Sequence, residues 1–262
     1  MATIQISGVQ IAYDDVGSGP ALVLMHGYPF NRSMWSEQVA ALRDTHRVVT
    51  PDLRGHGESD VTDAPATMSE MAADVASLMD ALEIPRAAIG GLSMGGYVAL
   101  SFYGMFPLRV RSLILADTRP QADTEEGKLV RAQQAEKILA EGMAGIADAM
   151  LPRLLHPETV SKRPEVVKRI RDMILRTKPA GAAAALRGMA ARDDQTELLP
   201  RIISPTLILV GRNDAITPVH DSEQMHHEIG GSRLVVIESA GHVSNIEQPE
   251  QFNHELIEFL NQ

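Results

Sequence analysis

The chain has 262 residues, no cysteine, and 24 basic against 34 acidic residues, which gives a formal net charge of −10. The acidic balance, without a basic stripe, argues against nucleic-acid binding, and no apolar run reaches the length of a membrane span. The absence of cysteine excludes disulfides and thiolate chemistry. The first residues show neither a basic region nor an apolar leader, so we expect a cytoplasmic protein.

Short apolar segments alternate with helix-period segments along most of the chain. The helical periodicity is clearest in Met34–Leu42 and Met68–Leu82, where apolar residues share one face. Such alternation predicts one α/β domain, with a mostly parallel eight-stranded sheet and helices on both faces. The predicted strands lie near Thr3–Ser7, Val9–Asp14, Ala21–Met25, Arg47–Pro51, Arg86–Gly90, Ser112–Ala116, Thr206–Val210 and Leu234–Ile237.

Residues 118–195 break this alternation, because only helical segments are recognisable there. We expect an all-helical cap inserted into a core made of residues 1–117 and 196–262. Residues 118–195 carry 14 basic and 11 acidic residues, a net charge of +3, whereas the remainder carries 10 and 23, or −13. A basic cap would favour substrates that bear a carboxylate, held by Arg153 or Arg176. Solvated helix faces would give the same count, so that alternative stays open.

A serine between glycines stands where a strand gives way to a helix. Gly91-Leu92-Ser93-Met94-Gly95 follows the predicted strand Arg86–Gly90 and begins the predicted helix Met94–Met105. A turn this tight leaves no room for β-carbons two residues either side of the serine. The pattern predicts that Ser93 is a nucleophile whose hydroxyl projects above the sheet.

A serine hydroxyl needs a base and a group that orients the base. With this kind of nucleophile turn the acid follows the serine in the chain, and the histidine comes last. Asp214 and His242 come directly after the last two predicted strands, at the edge where α/β sheets place ligand-contacting residues. We predict a triad of Ser93, Asp214 and His242. Asp117 is the alternative acid, but the turn Gly211–Asp214 leads the carboxylate of Asp214 out of the sheet.

Two backbone amides are expected to form an oxyanion hole. One is that of Met94, directly after the nucleophile, and the other is that of Tyr28, in the loop after the third strand. Gly27 lets this backbone approach closely, whereas Pro29 has no N–H to donate. His26 is expected to brace the loop by hydrogen bonding rather than to act as a base.

Four side chains are predicted to contact the substrate. Phe30 and Trp35 lie near the oxyanion loop in sequence, and Met143 and Met150 belong to the cap. For any one methionine, packing of the cap helices onto the core is the alternative. The other histidines lack clustered partners, so neither a metal nor a cofactor is expected.

Several motifs together carry a resemblance to a known family. His26–Pro29, Asp52–Ser59, Gly91–Gly96, Gly211–Asp214 and Gly241–His242 resemble the successive signatures of the α/β-hydrolase superfamily. The resemblance runs from the third strand to the C-terminal helix and implies the α/β-hydrolase fold.

Three further stretches are similar to the 3-oxoadipate enol-lactonase branch, which also contains many carboxylesterases. They are Glu141–Pro152, Ile170–Ile174 and His242–Glu250. This resemblance implies a serine hydrolase that cleaves short-acyl carboxylic esters or lactones, small-molecule substrates, through an acyl-enzyme.

Other activities of the same fold stay open. They are 3-oxoadipate enol-lactonase proper, a cofactor-free perhydrolase suggested by Ser93–Gly96 and Pro29, a carbon–carbon bond hydrolase, and a small-molecule receptor without turnover. Leu92 argues against the carbon–carbon hydrolases, which usually carry a different residue there. The oligomeric state is also open.

Overall fold

Eight strands form one sheet in the computed structural model, which describes residues 2–262. The spatial order is β1-β2-β4-β3-β5-β6-β7-β8. Strand β2 runs antiparallel to both β1 and β4, and every other neighbouring pair is parallel. The mostly parallel eight-stranded sheet predicted from the sequence is therefore confirmed. The strands are β1 Ala2–Ile6, β2 Val9–Val16, β3 Ala21–Met25, β4 Arg47–Pro51, β5 Ala87–Leu92, β6 Val110–Ala116, β7 Thr206–Gly211 and β8 Arg233–Ile237.

Eleven α-helices are found in the described chain, together with three 3₁₀ turns at Arg32–Trp35, Pro107–Arg109 and Thr196–Arg201. The helices are α1 Ser36–Leu42, α2 Met68–Ala81, α3 Met94–Met105, α4 Glu125–Glu141, α5 Ala144–Leu154, α6 Pro157–Lys162, α7 Pro164–Arg176, α8 Pro179–Ala190, α9 Val219–Glu228, α10 Ser244–Glu247 and α11 Pro249–Leu260.

The central strands are buried along their whole length. All residues of β5 and of β7 are buried, so their sequences are nearly continuous apolar runs rather than alternating ones. Helix α2 begins with a capping box. There, the Thr67 hydroxyl accepts from the Glu70 amide at 3.2 Å, and the Glu70 carboxylate accepts from the Thr67 amide at 3.1 Å.

Several predicted bounds differ from the structure by one or two residues, as in β2, which continues to Val16, and β6, which begins at Val110. Strand β5 continues two residues further than predicted, because Gly91 and Leu92 pair with β6. The predicted helix Met34–Leu42 begins as the 3₁₀ turn Arg32–Trp35 before α1. Helix α6 was not predicted. It is only six residues long, so its apolar period is too short to detect, although Pro157 at its first turn is a helix-start signal.

Residues 118–195 contain helices α4–α8, and no strand lies between β6 and β7 in the described chain. This helical segment is bonded to the core near the carboxyl ends of the strands. The Leu154 carbonyl accepts from the His242 amide at 2.8 Å, and the Thr177 hydroxyl donates to the Pro29 carbonyl at 2.7 Å. Within residues 2–262, none of the helices has the length and apolarity required to cross a bilayer.

Candidate active site

Three of the predicted site residues lie just past the ends of three parallel strands. Ser93 directly follows β5, Asp214 follows β7, and His242 follows β8. Because β5, β6, β7 and β8 are neighbouring parallel strands, their carboxyl ends share one edge of the sheet. Residues that are far apart in the chain therefore meet there.

The turn between β5 and α3 holds Ser93 in an unusual backbone conformation, with φ +56° and ψ −115°. The glycines around it have no room for a side chain. A β-carbon at Gly91 would lie 2.0 Å from the Gly95 carbonyl oxygen, and one at Gly95 would lie 2.1 Å from the Met25 carbonyl oxygen. Such strain in a non-glycine residue persists only where the surrounding structure enforces it.

A chain of hydrogen bonds joins the three side chains. His242 Nε2 lies 2.8 Å from Ser93 Oγ, and His242 Nδ1 lies 2.8 Å from Asp214 Oδ2. All three residues are buried, with 9% or less of their surface exposed. Asp117, the alternative acid, makes no hydrogen bond to His242 among the described residues; its carboxylate accepts instead from Gly211 and Ser244.

Asp214 is held by groups that the sequence reading did not identify. The Thr217 hydroxyl donates to Asp214 Oδ2 at 2.7 Å, and the amides of Ile216 and Thr217 donate to Oδ1 at 2.8 and 3.0 Å. The available signal was a threonine three residues after an aspartate, a spacing typical of turns closed by the aspartate side chain. These bonds fix the carboxylate in the orientation in which its Oδ2 faces His242 Nδ1.

The electrostatics of the pair favour a charged Asp214 and a basic His242. Burial alone would raise the pKa of Asp214, but His242 and the Thr217 hydrogen bonds outweigh it and hold this pKa below its usual value. Burial likewise opposes protonation of His242, yet the Asp214 charge and hydrogen bond raise the pKa of the imidazole above its usual value. The arrangement therefore stabilises an imidazolium when a proton arrives at Nε2.

The predicted oxyanion loop lies beside the nucleophile. A β-carbon at Gly27 would come within 3.4 Å of the Ser93 β-carbon, so the loop backbone approaches closely. Neither the Tyr28 amide nor the Met94 amide donates to another atom of the described chain. His26 Nε2 accepts from the Leu53 amide at 3.0 Å, while Nδ1 lies 2.9 Å from the Gly27 carbonyl, and burial lowers the pKa of His26 to about 4. A neutral His26 thus braces this loop.

A cavity of about 470 Å³ opens onto Ser93 and His242, and the residues that line it are of two kinds. The apolar part of the wall comes largely from the helical segment: Val130, Ile146, Ala149, Met150, Leu154, Leu186, Met189 and Ile216. The polar or charged part is formed by Arg119, Asp123, Thr124, Glu126, Arg131, Gln134 and Arg153.

Of the four predicted substrate contacts, only Met150 lines this cavity. Phe30 and Trp35 do not line it, and both side chains are fully buried in the core. Trp35 packs against Phe252, with ring centroids 6.2 Å apart. Met143 does not line the cavity either; it is 5% exposed and belongs to the core.

The two arginines proposed from the charge distribution lie in different places. Arg153 lines the cavity and forms no ion pair with any described residue. Its positive charge also acts to lower the pKa of His242. Arg176 lies in a separate groove with Glu165 and Arg169, away from Ser93. Within residues 2–262, no group of three or more histidine or carboxylate side chains is placed to hold a metal ion.

Comparison with known proteins agrees with this architecture. A family model described as the alpha/beta hydrolase fold matches residues 20–249. The chain belongs to the α/β-hydrolase family, and the predicted fold class is confirmed.

Particular relatives narrow the position within the family. The chain is 36% identical to 3-oxoadipate enol-lactonase 1 from Acinetobacter baylyi over 251 residues, which is 95% of this chain and 89% of that protein. An esterase from Thermogutta terrifontis, solved with malate bound, has a TM-score of 0.96 and 45% identity, covering 99% and 96% of the two chains. The enol-lactonase from Burkholderia xenovorans has a TM-score of 0.94 and 32% identity, covering both chains fully. The predicted likeness to the enol-lactonase and esterase branch is confirmed, as is the predicted class, a carboxylic ester hydrolase.

Proposed function

We propose that this enzyme hydrolyses short-acyl carboxylic esters or lactones through an acyl-enzyme on Ser93. The observation that carries the proposal is the continuous hydrogen-bonded chain from Ser93 Oγ through His242 to Asp214. The nucleophile, the base and the orienting acid are already within hydrogen-bond reach, as nucleophilic catalysis requires.

In the first half-reaction, His242 Nε2 takes the proton of Ser93 Oγ as the oxygen attacks the substrate carbonyl. The negative charge that develops on the carbonyl oxygen is stabilised by the amides of Tyr28 and Met94, which have no other acceptor in the described chain. The imidazolium of His242, stabilised by Asp214, then donates its proton to the leaving alkoxide.

In the second half-reaction, His242 takes a proton from water, which attacks the acyl-enzyme at the same carbonyl carbon. Collapse of the second tetrahedral intermediate returns the proton to Ser93 Oγ and releases the carboxylic acid. For a lactone the leaving alkoxide stays attached to the acyl chain, so the product is a single hydroxy acid or, from an enol-lactone, a keto acid.

We also propose that residues 118–195 act as a cap over a core formed by residues 1–117 and 196–262. Its support is the cavity itself, because most of the apolar wall that faces Ser93 comes from helices α4, α5 and α8. Such a wall restricts water near the reacting carbonyl and sets the shape of the acyl group that fits.

The decisive experiment is hydrolysis of p-nitrophenyl esters of increasing acyl length and of a neutral lactone by the wild type, Ser93→Ala, His242→Ala and Ser101→Ala. Ser101 is a matched control, since it is a buried serine in helix α3, which follows Ser93, and lies outside the cavity. Loss of Ser93 or His242 should reduce kcat by about 10⁶-fold with the fold unchanged, whereas Ser101→Ala should keep full turnover.

Labelling adds a second readout. A p-nitrophenyl phosphonate should react with Ser93 Oγ and release p-nitrophenol, so that the mass of the phosphonyl group is added to the peptide that contains Ser93 and to no other peptide. A kcat of Ser93→Ala within about tenfold of the wild-type value, or labelling at another serine, would refute the mechanism.

A second candidate function is hydrolysis of an anionic lactone such as an enol-lactone carboxylate. Arg153 favours it, because a guanidinium without an ion pair lines the cavity that holds Ser93. A substrate carboxylate could complete this pair while its lactone carbonyl lies at Ser93.

The test is Arg153→Ala against Arg176→Ala, since Arg176 lies on the same helical segment but outside the cavity. Arg153→Ala should lower kcat/KM for the anionic lactone by about tenfold or more and leave neutral esters within about twofold. Arg176→Ala should change neither substrate. Equal losses on neutral and anionic substrates would exclude a carboxylate contact at Arg153.

A further inference from the structure

Residues 116–118, at the carboxyl end of strand β6 and just past it, contact the backbone of the nucleophile turn. The Ser93 amide donates to the Ala116 carbonyl at 2.9 Å, and the Thr118 hydroxyl donates to the Ser93 carbonyl at 2.8 Å. Thr118 also occupies the space beside Gly96, where a β-carbon would lie 2.4 Å from the threonine hydroxyl. The backbone of the nucleophile is therefore held at both its amide and its carbonyl.

The Asp117 side chain forms hydrogen bonds to the two other loops of the site, which carry Asp214 and His242. Its Oδ1 accepts from the Gly211 amide at 2.8 Å, and its Oδ2 accepts from the Ser244 hydroxyl at 2.5 Å. Gly211 begins the turn that carries Asp214, and Ser244 lies two residues after His242. One fully buried carboxyl group thus joins the acid loop to the histidine loop.

Asp117 has no direct bond to the reacting groups. Among the described residues it makes no hydrogen bond to His242, Asp214 or Ser93. Its backbone adopts a φ of +43°, a conformation that costs free energy for a side-chain-bearing residue and that persists where the surroundings fix it. The side chain is thus aimed between the two loops by a constrained backbone.

We propose that Asp117 is a positioning residue, which holds the Asp214 and His242 loops at the separation their hydrogen bond needs. This inference rests on the proposed function, because it presupposes that His242 acts on Ser93 with Asp214 behind it. The joined loops follow different strands, β7 and β8, so a shift of either loop would lengthen the Asp214–His242 bond directly.

The chemistry of the Asp117 contacts indicates which substitution should preserve this function. Burial, and then repulsion from Asp214, raise the pKa of Asp117, and these effects favour its neutral form. In the neutral form the carbonyl oxygen still accepts from the Gly211 amide, and the bond to Ser244 reverses, so that the Asp117 O–H donates to the Ser244 hydroxyl oxygen. An asparagine side chain offers the same acceptor and donor in the same shape, whereas alanine offers neither.

The test compares kcat, KM and thermal stability for the wild type, Asp117→Ala, Asp117→Asn and Ser244→Ala. Because a misplacement of about 1 Å can cost about 10²-fold in rate, Asp117→Ala should lower kcat by about 10- to 100-fold with KM within about threefold. Asp117→Asn should restore kcat to within about fivefold of the wild type. Ser244→Ala loses only one of the Asp117 contacts, so its kcat should lie between those of Asp117→Ala and Asp117→Asn. It also tests the positioning role if Asp117→Ala does not fold.

A spectroscopic readout separates positioning from general destabilisation. The low-field proton resonance of His242 Nδ1 in its bond to Asp214 should persist in Asp117→Asn and shift or vanish in Asp117→Ala. Asp74→Asn is the control, since Asp74 is another buried carboxylate, paired with Arg54 at 2.7 Å outside the cavity. This control should lose stability and keep both kcat and the resonance.

Failure of the Asp117 role and failure of the proposed hydrolase function give different results. If Ser93→Ala is inactive while Asp117→Ala keeps wild-type kcat and the resonance, Asp117 has no positioning role and the proposed function stands. If Asp117→Asn loses as much kcat as Asp117→Ala, matched hydrogen bonding is not what Asp117 supplies, and the inference fails. A kcat of Ser93→Ala within about tenfold of the wild-type value would instead remove the proposed function itself.

Discussion

The edge of the sheet and the helical segment 118–195 are built on different physical principles. At the edge, backbone conformation decides the geometry: Ser93 has a φ of +56°, and a β-carbon at Gly95 would lie 2.1 Å from a carbonyl oxygen. In the helical segment, side-chain packing decides it, as in α7, whose buried face is Val166, Ile170, Met173 and Ile174. The first region tolerates almost no change of shape, whereas the second can exchange apolar residues of similar volume.

The two regions meet at the histidine loop. The His242 amide donates to the Leu154 carbonyl at 2.8 Å. The Glu247 carboxylate accepts from the Gly241 amide at 2.6 Å and from the His156 amide at 2.8 Å, so it bonds both regions at once. A displacement of the C-terminal end of α5 would therefore disturb the loop that carries His242. The adaptable region is anchored to the rigid one next to the proposed base.

The largest effect expected from a conservative change at the rigid edge is that of Asp214→Asn. The amide would keep the shape of the carboxylate but would favour the wrong imidazole tautomer, so kcat should fall by about 10⁴-fold. Steady-state kinetics at pH 8 with a short-chain ester measures this fall. A loss of less than about tenfold would show that His242 does not depend on Asp214.

The same variant tests the electrostatics through pH. Activity requires neutral His242, and Asp214 raises the pKa of this imidazole above its usual value. In the wild type, kcat/KM should therefore fall as the pH drops through that raised pKa. In Asp214→Asn the residual activity should fall only at lower pH, since the stabilising charge is gone. If kcat/KM fell at the same pH in both proteins, the group that titrates would not be His242.

A pair of glycine variants compares the two regions directly. Gly95→Ala places a β-carbon against the Met25 carbonyl oxygen, so we expect a loss of kcat of about 10²-fold or more from displacement of the nucleophile turn. Gly145 lies in helix α5, and apart from its chain neighbours and the backbone of its own helix no described atom lies within 4 Å of the position of its β-carbon. Gly145→Ala should keep full activity and gain roughly 0.5–1 kcal/mol of stability, measured by denaturant unfolding. If both variants kept full kcat, or both lost it, the two regions would not differ in their tolerance of an added β-carbon.

The difference between the regions explains what the sequence could predict. The nucleophile turn, the strand ends and the chain order of Ser93, Asp214 and His242 leave local signals, because glycines and apolar runs report backbone geometry. No such signal marks the burial of Phe30 and Trp35. Trp35 packs in the core against Phe252, which is 217 positions away in the chain, and a local pattern does not report a contact over that separation. Asp117 and Asp214 both follow strands, so only the folded chain shows which carboxylate meets His242.

Within the helical segment, Met143 should matter for stability. It is 5% exposed and belongs to the core. Met143→Ala removes buried volume and should cost about 2–4 kcal/mol in the free energy of unfolding, measured by urea titration. The relative kcat/KM values across the ester series should stay within about twofold of the wild-type pattern, because the side chain does not line the cavity.

Met150 lies in helix α5, which begins directly after Met143. Unlike Met143, it is only half-buried and lines the cavity. Met150→Ala should therefore cost less stability, about 1 kcal/mol. It should also shift kcat/KM toward longer acyl chains by about 3- to 10-fold, as the space left by the thioether becomes available. The readout is the ratio of kcat/KM for octanoyl and acetyl esters in Met150→Ala and in Met143→Ala. A change of this ratio in Met143→Ala but not in Met150→Ala would mean that the acyl group lies elsewhere, whereas the expected pattern would place it against the apolar wall of α5.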